Sequence, residues 1–177
     1  MGYAVELYFD APTEKRVWDL RHALIAQGIK STITELGDRP HISLAVFPDV
    51  DCAVLLPITQ AFASKMESFN FQSSAIGLFP TAENVLFLSP APTQQLLACH
   101  QAFHQRLAEA NLTPSPYYVP ANWTPHCTVE MNIPDGQMAK AVSLCKNSFK
   151  PLFGQVCEIG VVEFRPIKHL ANWSLGS

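Results

Sequence analysis

The chain has 177 residues, 48% of them hydrophobic and 15% charged, with a formal net charge of −3. These values describe one compact domain, or two small lobes sharing a core, and exclude a disordered chain. No apolar run reaches the roughly 18–20 residues of a membrane span, and five cysteines without a C-x-x-C pair exclude a zinc ribbon or a disulfide framework.

The N-terminal residues 3–9 alternate as a strand and lack the basic region of a signal peptide, so a cytoplasmic location with reduced thiols is expected. A helix opens near Pro12-Thr13, carries Val17, Leu20, Leu24 and Ile25 on one face, and closes at Gly28. A strand is expected from His41 to Phe47, and a second helix after Asp51. Two strands follow at 69–79 and 85–88, turning through Pro80 to Asn84. A third helix spans about 93–110, with Leu96, Leu97, Phe103 and Leu107 as its apolar stripe. A loop rich in proline and aromatics, 113–125, leads into a strand starting at His126. A last helix follows Pro134-Asp135, and strands near 155–164 and 170–175 complete the chain.

After the first strand this order reads helix, His strand, helix, strand, strand, twice over. Gln72, Ile76, Gly77 and Leu78 match Gln155, Ile159, Gly160 and Val161 at a constant spacing of 83. The two histidines are 85 apart, so sequence and element order both favour a duplicated half.

Two tetrapeptides carry the chemistry, His41-Ile42-Ser43-Leu44 and His126-Cys127-Thr128-Val129, each directly after a proline. On a strand alternate side chains share a face, so His41 pairs with Ser43 and His126 with Thr128, while Ile42 and Cys127 turn toward the core. Two imidazoles suit acid–base attack on a phosphodiester, because histidine is available in both protonation states near neutral pH. The two hydroxyls suit the non-bridging oxygens as negative charge builds there.

These motifs resemble the paired His-x-Thr/Ser-x motifs of the 2H phosphoesterase superfamily, which contains 2′-5′ RNA ligase-like proteins and cyclic nucleotide phosphodiesterases. The resemblance spans nearly the whole chain. It implies an α+β, bilobal fold of two similar halves, antiparallel sheets flanked by helices around a central cleft, with one motif from each half. The expected lobes are 11–90 and 91–177, the strand at 3–9 joining the core.

Other residues are weighed beside the motifs. Tyr118 and Trp123, in the loop leading to the second motif, suit either base stacking or capping of the core. His100 and His104 stand four apart on a helix but lack the adjacent Glu of a metal motif, so they read as polar-face residues and no metal or other cofactor is expected. Many relatives carry a basic residue after the second motif, where this chain has Glu130. Arg39 is the nearest cation in sequence, and no basic stripe is evident, which favours a nucleotide or short RNA terminus over long RNA. No membrane and no obligatory protein partner is expected.

The sequence therefore predicts a metal-independent phosphodiesterase acting on a 2′,3′-cyclic phosphate or 2′-5′-linked nucleotide. His41 and His126 would be the acid–base pair, and Ser43 and Thr128 the phosphate donors. Alternatives are 2′-5′ RNA ligation in the same site, or a non-catalytic nucleotide- or RNA-binding module. The spacing does not say which histidine is the base.

Overall fold

The computed structural model describes residues 2–29 and 32–176. Its elements are β1 (Gly2–Phe9), α1 (Ala11–Ala26), β2 (His41–Phe47), α2 (Cys52–Ala63), β3 (Phe69–Phe79), β4 (Val85–Pro90), α3 (Gln94–Glu109), β5 (Cys127–Glu130), α4 (Asp135–Ser148), β6 (Leu152–Phe164) and β7 (Lys168–Ser174). A single 3₁₀ turn, Pro116–Tyr118, lies in the long loop before β5. The helices start where the sequence offers caps: the side chains of Asp10, Asp51 and Thr93 accept backbone N–H groups of the first turns of α1, α2 and α3. Asp10 also accepts the Gln155 N–H, so the α1 cap fastens that helix to β6.

The strands form one antiparallel sheet in the order β2-β1-β6-β3-β4-β5, with β7 added to β6. One face buries Leu7, Phe9, Ile42, Leu44, Phe71, Leu88, Val129, Val156 and Ile159 against apolar residues of the helices. Two expected members of helix faces are displaced from that core. Ile25 and Leu97 are 38% and 44% exposed. The buried stripe of α1 instead includes Arg21, and that of α3 is Leu96, Cys99, His100, Phe103, His104 and Leu107. Leu97 lies at the edge of that stripe, about 100° around the helix from Leu96.

The sheet order is a palindrome about the β6–β3 pair. Phe71 and Gly154, 83 apart, pair with each other across that junction. Irregularities repeat with the same spacings. Register shifts leave Leu44 of β2 and Val129 of β5 unpaired, 85 apart, and Ser74 of β3 and Cys157 of β6, 83 apart. The element order follows the sequence reading, with one spatial difference. Sequence order equates β7 with β4, but in the sheet β1 holds the place equivalent to β4. β1 occupies one edge of β6, so β7, turning back directly from β6, pairs along the other. The division expected near residue 90 falls between β4 and α3, and β3 and β4 pair across it with β6 and β5.

Gly77 and Gly160 show why glycine recurs in the repeat. A Cβ at Gly77 would lie 2.3 Å from the Phe87 ring, and one at Gly160 would lie 2.4 Å from Asn172 Oδ1 and 2.7 Å from the Tyr8 ring. Each glycine lets an aromatic ring from the neighbouring strand lie flat on the sheet.

Candidate active site

The two ends of the sheet, β2 and β5, lie against each other. This brings together strands that are 85 residues apart in sequence. Arg21 of α1, fully buried, spans them by donating to the carbonyl oxygens of Asp38 (2.5 Å) and Thr128 (2.8 Å). On the face opposite the helices, His41 and Ser43 project from β2 and His126 and Thr128 from the entry and body of β5. Ile42 and Cys127 are fully buried behind them, as the alternation requires.

Both imidazoles are held the same way. Nδ1 of His41 donates to the Arg39 carbonyl (2.7 Å), and Nδ1 of His126 to the Thr124 carbonyl (2.8 Å), each two residues back. A carbonyl only accepts, so Nδ1 carries the proton and Nε2 is the nitrogen free to exchange one.

Their surroundings differ. His41 is buried between two carboxylates, Glu6 Oε1 at 3.5 Å from Nε2 and Asp38 Oδ1 at 3.5 Å from Nδ1. Burial opposes the charge on His41, but attraction to Glu6, then Asp38, outweighs it and raises its pKa above the ordinary value. Glu6 in turn is pushed up to about 7 by burial, and its Oε2 accepts from the Tyr8 hydroxyl (2.8 Å). His126 sits instead against rings: Phe79 at 4.9 Å, Phe87 at 5.6 Å and Tyr118 at 6.4 Å between centroids. Burial among them lowers its pKa, and the charge of His41 adds to that direction.

The remaining candidates are placed as follows. Tyr118 is half-buried beside His126, and its phenol pKa is raised by burial and by nearby Glu6. Trp123 has one face covered by the His100 ring (3.8 Å, 3° between planes) and its Nε1–H donates to the Ser43 carbonyl (3.1 Å). Contrary to expectation, His100 and His104 are not polar-face residues. They are 2% and 9% exposed, and their Nε2 atoms donate to the Tyr118 and Leu44 carbonyls. Both therefore brace the loop and β2 from behind. Cys127 is no nucleophile in this setting, since burial pushes its thiol up to about 11.

Glu130 does not face the motifs. The unpaired Val129 turns it to the core side, where Oε1 accepts the N–H groups of Thr32, Ile33 and Met131. Arg39 is committed too: it pairs with Glu14 (2.7 Å) and Glu158, and its guanidinium lies 4.2 Å over the Tyr8 ring. Among the described residues, Glu6, Asp38 and His41 are the one group of three potential metal ligands. One ligand atom of each lies within 4.8 Å of the others; the carboxylates flank different ring nitrogens, and Nδ1 already donates to the Arg39 carbonyl.

Sequence reasoning missed Glu6, Asp38, Arg21, Phe79 and Phe87. For Glu6 and Arg21 a signal exists, a charge within an apolar strand and a charge inside a helix's buried stripe. Phe79 and Phe87 carry none, because any strand has such residues.

The overall architecture is shared with solved structures of low sequence identity. Escherichia coli LigT, crystallised with 3′-AMP, is 13% identical with a TM-score of 0.65, covering 99% of this chain and 97% of its own. TT0787 of Thermus thermophilus is 16% identical, with a TM-score of 0.68 and full coverage of both chains. Kluyveromyces marxianus Usb1 is 9% identical, with a TM-score of 0.52 and coverage of 99% and 97%. No curated protein matches the sequence. The family profile of the 2′-5′ RNA ligase superfamily matches residues 13–166, most of the chain and both His motifs, and the protein belongs to that superfamily.

Proposed function

We propose that the chain is a metal-independent phosphodiesterase that hydrolyses a 2′,3′-cyclic phosphate or a 2′-5′-linked nucleotide at two histidines. The observation that carries the reading is the same anchoring of His41 and His126, each with Nδ1 on the carbonyl two residues back, which leaves Nε2 as the nitrogen to exchange a proton. One Nε2 takes the proton of the attacking water and the other supplies a proton to the leaving ribose oxygen. Ser43 and Thr128 donate to the non-bridging oxygens. A site that only bound nucleotides would need donors but no second imidazole with a free nitrogen. The family's name points to the reverse reaction, joining RNA ends, which the same groups would serve.

A nucleotide-sized substrate fits the electrostatics. Arg21 and Arg39, packed about His41, are both engaged within the protein, and the net charge is −3, which favours a nucleotide or short terminus over a long strand. E. coli LigT has been crystallised with 3′-AMP, ATP, NADP+ and phosphate. Tyr118 is the ring we assign to base stacking, because one face of Trp123 is already covered. No helix among the described residues is long and apolar enough to cross a membrane. The five unpaired cysteines favour a reducing compartment, and we place the protein in the cytoplasm.

The test is turnover of nucleoside 2′,3′-cyclic phosphates and 2′-5′ dinucleotides in EDTA by wild type, His41→Ala and His126→Ala. Loss of an acid or base is expected to cost about 10²–10⁴-fold in each variant. Wild-type turnover that chelator abolishes, or tight nucleotide binding with no turnover at all, would refute the reading.

A further inference from the structure

The palindromic sheet makes the two halves directly comparable, and at one position they differ in a way that bears on mechanism. Glu6 of β1 pairs with Ser43 on one side and with Gly160 on the other. Phe87 of β4 pairs with Thr128 on one side and with Gly77 on the other. Ser43 and Thr128 are equivalent motif residues, and Gly77 and Gly160 are equivalent repeat glycines. Glu6 and Phe87 therefore occupy the same place in the two halves, each beside one catalytic motif. One half puts a carboxylate there and the other a phenyl ring.

We propose that this substitution divides the labour between the histidines: Glu6 is a positioning residue that makes His41 the general acid, and Phe87, in the equivalent place, leaves His126 the general base. The inference rests on the two-histidine reading above and extends it. Glu6 is suited to the task because Tyr8 fixes Oε2, leaving Oε1 for the imidazole. The 3.5 Å separation from Nε2 is an ion-pair distance rather than a tight hydrogen bond, so the Nε2 proton stays deliverable.

The groups facing His41 are Glu6 and Tyr8 from β1, Asp38 and Arg39 from the preceding loop, Arg21 from α1 and His126 from the start of β5. Burial, and to a smaller degree Arg21, oppose the charge on the ring, and Glu6, Asp38 and the Arg39 carbonyl together prevail. The groups facing His126 are Phe79, Phe87, Tyr118 and His41, none of them an anion at neutral pH. The 3.5 Å approach of Glu6 and the opposite directions of the two shifts thus favour a proton on His41 over one on His126. In the step itself, water loses a proton to Nε2 of His126 as its oxygen bonds to phosphorus. The bond from phosphorus to the ribose oxygen breaks, and that oxygen takes the Nε2 proton of His41. The free enzyme is restored by returning one proton from His126 to His41 through solvent.

Two measurements test this. The first is the pH profile of kcat/KM on a 2′,3′-cyclic nucleotide for wild type and Glu6→Gln, which keeps the Tyr8 contact but not the charge. The basic limb is expected to move down by about one pH unit, the acidic limb staying in place. The second compares His41→Ala and His126→Ala on the cyclic nucleotide and on a p-nitrophenyl phosphodiester, whose leaving group needs no acid. His41→Ala is expected to lose at least about tenfold less on the aryl ester, and His126→Ala to lose equally on both. An unmoved basic limb, a moved acidic limb, or rescue of His126→Ala rather than His41→Ala overturns the assignment while leaving the two-histidine mechanism intact. Absence of turnover by the wild type overturns that mechanism, and with it the assignment.

Discussion

Replacing His100 by glutamine tests whether the loop carrying Tyr118 is braced by a neutral, buried imidazole. The His100 ring is 2% exposed, stacked on Trp123, and donates from Nε2 to the Tyr118 carbonyl at 2.8 Å. Burial first, and then the neighbouring His104 ring 4.3 Å away, lower its pKa from 6.5 to about 4. Between those values the unfolded chain binds a proton that the folded protein refuses, so stability is fully present above pH 6.5 and is lost as pH falls through 4. The linkage reaches at most about 2–3 kcal/mol at pH 4.5, since each unit of displacement corresponds to about 1.4 kcal/mol. Glutamine places an amide N–H near the position of Nε2 but does not titrate. At pH 8 the His100→Gln change is expected to cost about 1 kcal/mol, the stacking on Trp123 being lost. By pH 4.5 the order should invert, with the His100→Gln variant more stable than the wild type. Urea denaturation of both proteins at the two pH values reads the difference directly, because other titrating groups are common to both. A difference that stays constant within about 0.5 kcal/mol across that range would refute the account.

Three further outcomes follow from the geometry. Arg21→Met keeps much of the side-chain volume but leaves the Asp38 and Thr128 carbonyls unpaired, so denaturation should show a loss of about 3 kcal/mol, and a loss under about 1 would show the bridge to be dispensable. Gly77→Ala and Gly160→Ala each place a methyl into an aromatic ring that packs near a motif, and shifts of about 1 Å there should lower kcat/KM by roughly 10–100-fold with far-UV circular dichroism unchanged; full activity would show that the rings yield freely. In native protein, iodoacetamide should modify Cys52 and Cys157 only, because Cys99, Cys127 and Cys145 are buried with thiols pushed up to about 12, 11 and 12; mass spectrometry showing early labelling at any of these three would contradict that burial.

The asymmetry between the two halves gives the duplication a functional reading. Both halves keep the same backbone device: a proline before the histidine, an Nδ1 contact two residues back, an unpaired residue after the hydroxyl, and a glycine under an aromatic ring. A symmetric site would hold two imidazoles of equal basicity. Here the surroundings differ: Glu6 of β1 and Asp38 flank His41, while rings of β3, β4 and the loop before β5 enclose His126.

The local signals in this chain were strong enough to define its elements. Alternation along His41–Phe47 put His41 with Ser43 on one face and Ile42 on the other, and the side chains of Asp51 and Thr93 begin helices where their capping chemistry indicates. The motif pair and the 83-residue spacing were visible because a duplicated backbone solution repeats its constraints. What required the tertiary structure is everything set by strand pairing across long separations. Only pairing sets Glu6 beside Ser43 and Phe87 beside Thr128, gives β1 the place that chain order offers β7, and turns Glu130 from the motif face to the core. His100 and His104 had the same limit: a helical repeat shows which residues share a face, but which face is buried depends on the Trp123 loop and on β2, which pack there. Side-chain type and spacing are local properties of the chain. The field and the dielectric around each histidine are sums over neighbours from elements distant in the chain, and these are fixed only when the sheet closes.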